Sequence, residues 1–294
     1  MTDFAGVLRA AAEETGLEFD GAGARPVGGG CISAAWELGS TAGPVFLKTH
    51  TGGEGGMFEA EAAGLVLLGA AAGLRVPAAL GFGTAGDDAW LLLEWIEPGQ
   101  PGGDTQAALG RGLAAQHRTT AGRFGWERDN WIGATPQDNT PTANWADFFA
   151  LNRLGVQLDL MEVSGIGGGL LARGRRLVEG VGALLAGHAP RPALLHGDLW
   201  GGNRATDTDG QPFVFDPAVY YGDREADLAM TRLFGGFGPA FYAAYEAAWP
   251  LPPGAALRGD LYNLYHVLNH VNMFGAGYLR QADSLVARLL AELG

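Results

Sequence analysis

Basic residues are scarce in this chain. Lys and Arg together number 19 against 32 Asp and Glu in 294 residues, a net charge of −13. A surface so acidic argues against nucleic acid or an anionic membrane as partner. Cysteine is nearly absent: Cys31 stands alone, so no internal disulfide can form. Long apolar runs are missing too. The most suggestive, Ala62 to Leu74, is too short to span a bilayer and holds Gly64, Gly69 and Gly73. The N-terminus shows no secretory pattern, since Asp3, Glu13 and Glu14 interrupt it, and a cytoplasmic location is expected. Charged residues make up only 17%, which excludes a disordered or coiled-coil chain, and 47% hydrophobic residues can build a substantial core.

The pattern divides the chain in two. Phe4 to Leu17 reads as an amphipathic helix stopped near Gly16. Cys31 to Leu38, Val45 to Thr49, Ala79 to Gly83 and Ala89 to Glu94 read as strands, with a helix from Met57 to Gly73 among them. The Pro- and Gly-rich segment Glu97 to Asp104 is the clearest boundary. Beyond it the reading is mainly helical: 105–119, 145–162, 170–186, 223–233, 239–248 and 255–293 with interruptions. Short strands near Leu194 and Val214 are the exception, and Gly165 to Gly169 reads as a linker. The expectation is an α+β fold of two lobes. Residues 1–96 form a small antiparallel sheet with a helix, and residues 97–294 a mainly helical lobe.

The most informative stretch is Leu-Leu-His-Gly-Asp-Leu-Trp-Gly-Gly-Asn, Leu194 to Asn203, followed by Val-Phe-Asp-Pro ending at Pro217. It spaces Asp198, Asn203 and Asp216 at offsets of five and thirteen residues. This resembles the protein-kinase catalytic loop H-R-D-x-x-x-x-N and the Asp of D-F-G. Phosphoryl transfer explains the residue types. Asp198 would orient and deprotonate a hydroxyl, while Asn203 and Asp216 hold Mg²⁺ against the phosphates of ATP. The upstream residues agree. Gly28, Gly29 and Gly30 form a turn whose backbone amides can approach phosphates closely. Lys48, in the apolar strand Val-Phe-Leu-Lys, supplies a cation; Glu61 is its expected carboxylate partner and Glu59 the runner-up. Leu91 to Ile96 runs a strand into the boundary segment, so Glu94 C=O and Ile96 N–H are the expected contacts to the adenine edge. His196 is expected to order the loop. Trp200 either packs beneath the loop or stacks on a sugar face or cation. His270 is either a core histidine or a substrate ligand. Cys31, beside the Gly-rich turn, is either a small buried hydrophobe or an oxidisable thiol. Its disulfide would have to join two molecules or trap a small thiol, which leaves a monomer or a redox-dependent dimer.

Longer blocks make the likeness specific. Gly28 to Ile32, Val45 to Lys48, Met57 to Ala62, Phe124 to Trp126, Thr135 to Asn139, His196 to Trp200, Phe215 to Ala229, Leu233 to Phe237 and Leu268 to Gly275 resemble the fructosamine kinases, or ketosamine-3-kinases. Gly201, Ser33 and Arg204 depart mildly from the family pattern. The resemblance implies a protein-kinase-like fold of the aminoglycoside-phosphotransferase type. It implies ATP- and Mg²⁺-dependent phosphorylation of the 3-hydroxyl of ketosamines, as small adducts or on glycated protein lysines. Only about ten residues separate Asp216 from Glu225 and Asp227, too few for a long activation loop and peptide platform. The alternatives are another small-molecule kinase, acting on an aminoglycoside, choline or homoserine-like substrate, and a non-catalytic nucleotide-binding protein. The former has no reason to carry Phe215 to Ala229. The latter predicts loss of Lys48, Asp198 or Asp216, and all three are present.

Overall fold

The structure, a computed structural model, describes residues 2–28, 32–52 and 56–294. Gly29, Gly30 and Cys31 therefore lie outside the described residues. Helix α1 (Phe4–Thr15) is capped by the Asp3 side chain, which accepts the Gly6 N–H, and stopped by Gly16 at φ 71°. Strands β1 (Phe19–Pro26), β2 (Ala34–Ser40) and β3 (Gly43–Thr51) follow. Helix α2 (Gly56–Ala70) then leads to β4 (Ala79–Ala85) and β5 (Asp88–Glu94). The five strands make one antiparallel sheet in the order β1-β2-β3-β5-β4.

Strand alternation sorts the two faces of this sheet. Leu38, Val45, Leu47, Trp90 and Leu92 bury against Val7 and Ala11 of α1. Ala89, Leu91 and Leu93 bury against Phe58, Ala62 and Leu65 of α2. Lys48 follows Leu47 and pairs across the sheet with Leu91, so it belongs to the α2 face.

The remaining chain begins with α3 (Thr105–Gln116), the hairpin β6 (Asn130–Ile132) and β7 (Thr135–Gln137), α4 (Trp145–Phe149), α5 (Val156–Val163) and α6 (Gly169–Leu184). Two short pairs of strands then carry the site. β8 (Ala193–Leu195) pairs with β11 (Tyr220–Gly222), and β9 (Arg204–Thr206) with β10 (Pro212–Val214). Helices α7 (Glu225–Leu233), α8 (Pro239–Ala248), α9 (Ala255–Phe274) and α10 (Leu279–Ala291) complete the fold. The largest core joins α4 to α6, α9 and α10 through Phe148, Phe149, Leu177, Tyr262, Val267 and Val286. Among the described residues no helix is long and apolar enough to cross a membrane.

Three differences from the sequence reading have physical causes. β1 was not foreseen because Gly21 and Gly23 interrupt it and its side chains are half-buried or exposed, leaving no buried alternation. The second strand begins at Ala34, because Ile32 and Ser33, expected within it, bend the chain into the sheet. The helix expected over 145–162 is broken by a π-helical turn, Ala150–Gly155, which carries the buried Arg153. Its guanidinium lies 4.1 Å from the Tyr220 ring and 4.5 Å from that of Phe148. The Gly165 to Gly169 linker does join two helices, with Gly165, Gly167 and Gly168 at positive φ.

Candidate active site

The two strand pairs bring the distant carboxylates together. Asp198 leaves β8 on a loop whose Gly197 sits at φ 82°, and a Cβ there would lie 1.9 Å from the Ala218 carbonyl. Only glycine fits that crossing. Asp216 follows β10 at φ 55°, the one non-glycine residue at positive φ among those described. Such strain points Asp216 back at the loop instead of along the strand. Asn203 joins the two segments. Its Nδ2 donates to the Asp198 carbonyl at 2.9 Å, to Asp198 Oδ2 at 3.1 Å and to the Asp216 carbonyl at 3.4 Å. With the amide nitrogen so used, Asn203 Oδ1 is the atom left for a ligand.

The sheet supplies the cation. Lys48 Nζ lies 2.8 Å from each Glu61 carboxylate oxygen and 3.0 Å from Asp216 Oδ1. Burial alone would lower the lysine's pKa, but Asp216 and Glu61 outweigh it and hold the ammonium charged, above its ordinary range. Burial and Asp216 push the Glu61 carboxyl up, against Lys48, which favours its ionised form. With an ammonium at 2.8 Å the pair is ionic. Glu59, two residues away, instead meets Arg128 at 3.2 Å. Asp198 is pushed up to about 7, first by burial and then by the charge of Asp216, with the Asn203 hydrogen bond opposing. Lys48 is also the only lysine in the chain, a count that marks it more sharply than its strand context does.

Behind the loop stands Asp227, which the sequence reading assigned no role. Its carboxylate accepts the N–H of His196 at 2.8 Å and of Gly197 at 2.9 Å, and the fully buried His117 meets it at 3.1 Å. Despite burial, these contacts hold its carboxyl below the usual range. Burial lowers the pKa of His196, leaving it neutral. Its Nε2–H then donates to the Phe215 carbonyl at 3.0 Å, and Nδ1 accepts the Asp198 N–H at 3.3 Å. The place of Asp227 in the first turn of a helix, within the Phe215 to Ala229 block, was the signal available for this anchor.

A cleft of about 720 Å³ opens over these groups. One side is lined by Val27, Gly28, Phe46, Leu93 and the 94–96 segment, where the chain leaves the sheet. The Glu94 side chain turns away from the cleft's chemistry, meeting Arg75 at 2.7 Å and the Ala78 N–H at 3.1 Å. The other side is aromatic. Trp200 lies over Gly202, where a Cβ would meet its ring at 2.2 Å, and stands edge-on to Phe234 at 6.4 Å. The His270 ring sits 4.8 Å from Phe234 and 5.0 Å from Tyr278. Its Nδ1–H donates to the His266 carbonyl at 2.8 Å, which leaves Nε2 as an acceptor. Burial lowers its pKa, so it brings no positive charge.

The block Asp223-Arg224-Glu225 proves to be scaffold. Asp223 accepts from Tyr262 and meets His188, each at 2.6 Å, and Glu225 takes two 2.8 Å bonds from Arg258. Arg224 donates to the carbonyls of Trp249 and Pro250. His188, Asp223 and Glu225 converge, but Arg258 already neutralises Glu225. Two of the departures from the family pattern also find a place. A Cβ on Gly201 would lie 2.9 Å from the Gly235 carbonyl, and Arg204 donates to the Gly236 carbonyl.

A small antiparallel sheet over helices, with Lys48, Glu61, Asp198, Asn203 and Asp216 meeting in the cleft between them, defines a protein-kinase-like phosphotransferase. Solved structures show the same architecture. An aminoglycoside phosphotransferase superposes with a TM-score of 0.64 at 15% identity, covering 97% of this chain and 98% of the other. A protein from Thermobifida fusca assigned as a fructosamine-3-kinase superposes with a TM-score of 0.87 at 32% identity, covering 97% and 98%. Residues 4–292 match the fructosamine kinase family model, and the chain belongs to that family. A relative from Synechocystis sp., assigned as a ketoamine kinase, is 44% identical over 95% of this chain and 94% of its own. The chloroplastic protein-ribulosamine 3-kinase of Oryza sativa subsp. indica is 43% identical over 92% of this chain and 80% of its own.

Proposed function

We propose that the protein transfers the γ-phosphoryl group of ATP to the 3-hydroxyl of a ketosamine. The observation that carries this reading is the continuous set of contacts Glu61–Lys48–Asp216 and Asp198–Asn203, set beside an aromatic wall in one cleft. Lobe 1–96 binds the nucleotide, with Gly28 near the phosphates and Glu94 C=O and Ile96 N–H at the adenine edge. Lobe 97–294 binds the acceptor. Gly29 and Gly30 belong to the same turn by sequence.

The donor set suits magnesium. Asp216 has a carboxylate oxygen beyond the one on Lys48, and Asn203 presents Oδ1; hard oxygen donors of this kind favour that ion. Bound there with ATP, magnesium supplies charge neutralisation for the transferring phosphoryl group. Lys48 holds phosphate oxygens, and Glu61 keeps Lys48 aligned. Asp198 accepts the proton of the attacking hydroxyl as its oxygen bonds to the γ-phosphorus and ADP departs. Trp200 stacks on the sugar, and neutral His270 accepts a hydrogen bond through Nε2. A phosphate on C3 lies β to the nitrogen-bearing C1 across the C2 carbonyl, so loss of a C1 proton to the enaminol expels phosphate from C3, and hydrolysis of the resulting imine by water releases the free amine. The activity is therefore a deglycation, on small ketosamines or glycated protein lysines.

An acceptor panel with ADP formation as readout tests this. Ribulosyl-lysine or fructosyl-lysine is turned over, and aminoglycosides and choline are not. Trp200→Ala raises the acceptor KM about three- to tenfold and leaves the ATP KM unchanged. Turnover of an aminoglycoside or choline, with none of either ketosamine, would overturn the reading.

A further inference from the structure

The hairpin β6–β7 and the Thr-Pro-Gln-Asp-Asn block have no role in this mechanism, yet they contact both the segment after Asp216 and helix α2. Asn130 Nδ2 donates to the Val219 carbonyl at 2.7 Å, three residues beyond Asp216. Its Oδ1 accepts from Gln137 and from Asn139, each at 2.8 Å. Gln137 also reaches the Ala218 carbonyl at 3.3 Å, and Tyr265 donates to Gln137 at 2.7 Å. Asn139 in turn accepts the guanidinium of buried Arg153 at 2.6 Å. The hairpin is thus fastened to the segment that carries Asp216.

Its other side meets the sheet lobe. A Cβ on Gly56, the first residue of α2, would lie 3.3 Å from the Trp131 ring. Arg128, just before the hairpin, pairs with Glu59 on α2, on the helix face opposite Glu61. Met273 of α9 closes over the tip at Gly133, within reach of Ile32.

We propose that this hairpin is a fixed brace that sets α2, and hence Glu61 on Lys48, against Asp216, with Asn130 as its positioning residue. Kinases with activation loops must order the Lys–Glu pair and the metal-binding Asp by modification or a partner. Here the segment after Asp216 is short, and a hairpin from the helical lobe holds both groups at once. This rests on the assignment of Lys48, Glu61 and Asp216 to nucleotide binding, not on the identity of the acceptor.

The test separates the nucleotide side from the acceptor side. Asn130→Ala lowers kcat/KM for ATP about tenfold or more, through both a higher KM for ATP and a lower kcat. The acceptor KM at saturating ATP stays within about twofold. A change confined to the acceptor KM would mean that Asn130 merely touches the acceptor, and would overturn the proposal, as would unchanged kinetics. Should Asn130→Ala fail to fold, the solvent-facing pair serves. Arg128→Glu sets two carboxylates against each other and raises the ATP KM about two- to fivefold, and adding Glu59→Arg restores it. No effect from the single reversal, or no recovery in the double variant, would equally overturn it. The readout is ATP kinetics, so failure on ketosamines leaves this test intact with whichever acceptor is turned over.

Discussion

Asp198→Asn lowers kcat by about two to four orders of magnitude, while ATP and ADP bind as tightly as before. The substitution keeps the shape of the side chain and an oxygen for the Asn203 amide at 3.1 Å. It removes the capacity to accept a proton from the acceptor hydroxyl. It also removes a charge that Asp216 opposes, so the nucleotide side loses nothing by the change. Turnover at saturating substrates gives the first quantity and calorimetric titration with ADP the second. A variant with kcat within a few-fold of the parent would show that Asp198 is not the proton acceptor.

Asp216→Gly abolishes turnover at any magnesium concentration and leaves the protein no less stable to heat. The two outcomes have separate causes. Asp216 supplies the carboxylate oxygens of the proposed metal site, and no neighbouring group replaces them. At φ 55° it also holds a backbone conformation that disfavours side chains by about 1 kcal/mol, which glycine relieves. Lys48 retains both oxygens of Glu61 at 2.8 Å, so the ammonium stays paired. A third readout follows from charge. In the nucleotide-free protein Asp198 is protonated below about 7, partly because of Asp216. Removing that carboxylate moves the Asp198 titration to lower pH, visible in carboxyl carbon NMR. Retained turnover in the glycine variant would remove Asp216 from the site. A titration that does not move would remove the coupling.

The parts of the site that were legible in the sequence are those packed into short intervals. Asp198, Asn203 and Asp216 lie on two tight loops, so their spacing nearly dictates their meeting. Lys48 was legible from an apolar strand and a following Glu-bearing helix. Helical geometry then separates Glu61, facing the sheet, from Glu59, facing Arg128. The unreadable parts act through backbone carbonyls and distant partners. Asp227 serves the N–H groups of residues some thirty positions earlier. Asn130 serves a carbonyl 89 positions later. Neither has its partner close by in sequence, so local spacing could not pair them. The hairpin strands have three residues each, too few to show alternation. Arg153 lies inside the stretch expected as one helix, and the π-turn there sets it among aromatic rings, which helical periodicity does not show.

The position of the phosphate on the product tests the central claim most directly. After incubation with ATP and magnesium, ribulosyl-lysine and fructosyl-lysine are examined by phosphorus–proton correlation NMR. The account predicts a phosphate coupled to the proton on C3 of at least one adduct, absent with Asp198→Asn. A phosphate at any other position, or both ketosamines recovered unmodified while ATP is consumed on a different acceptor, would contradict it.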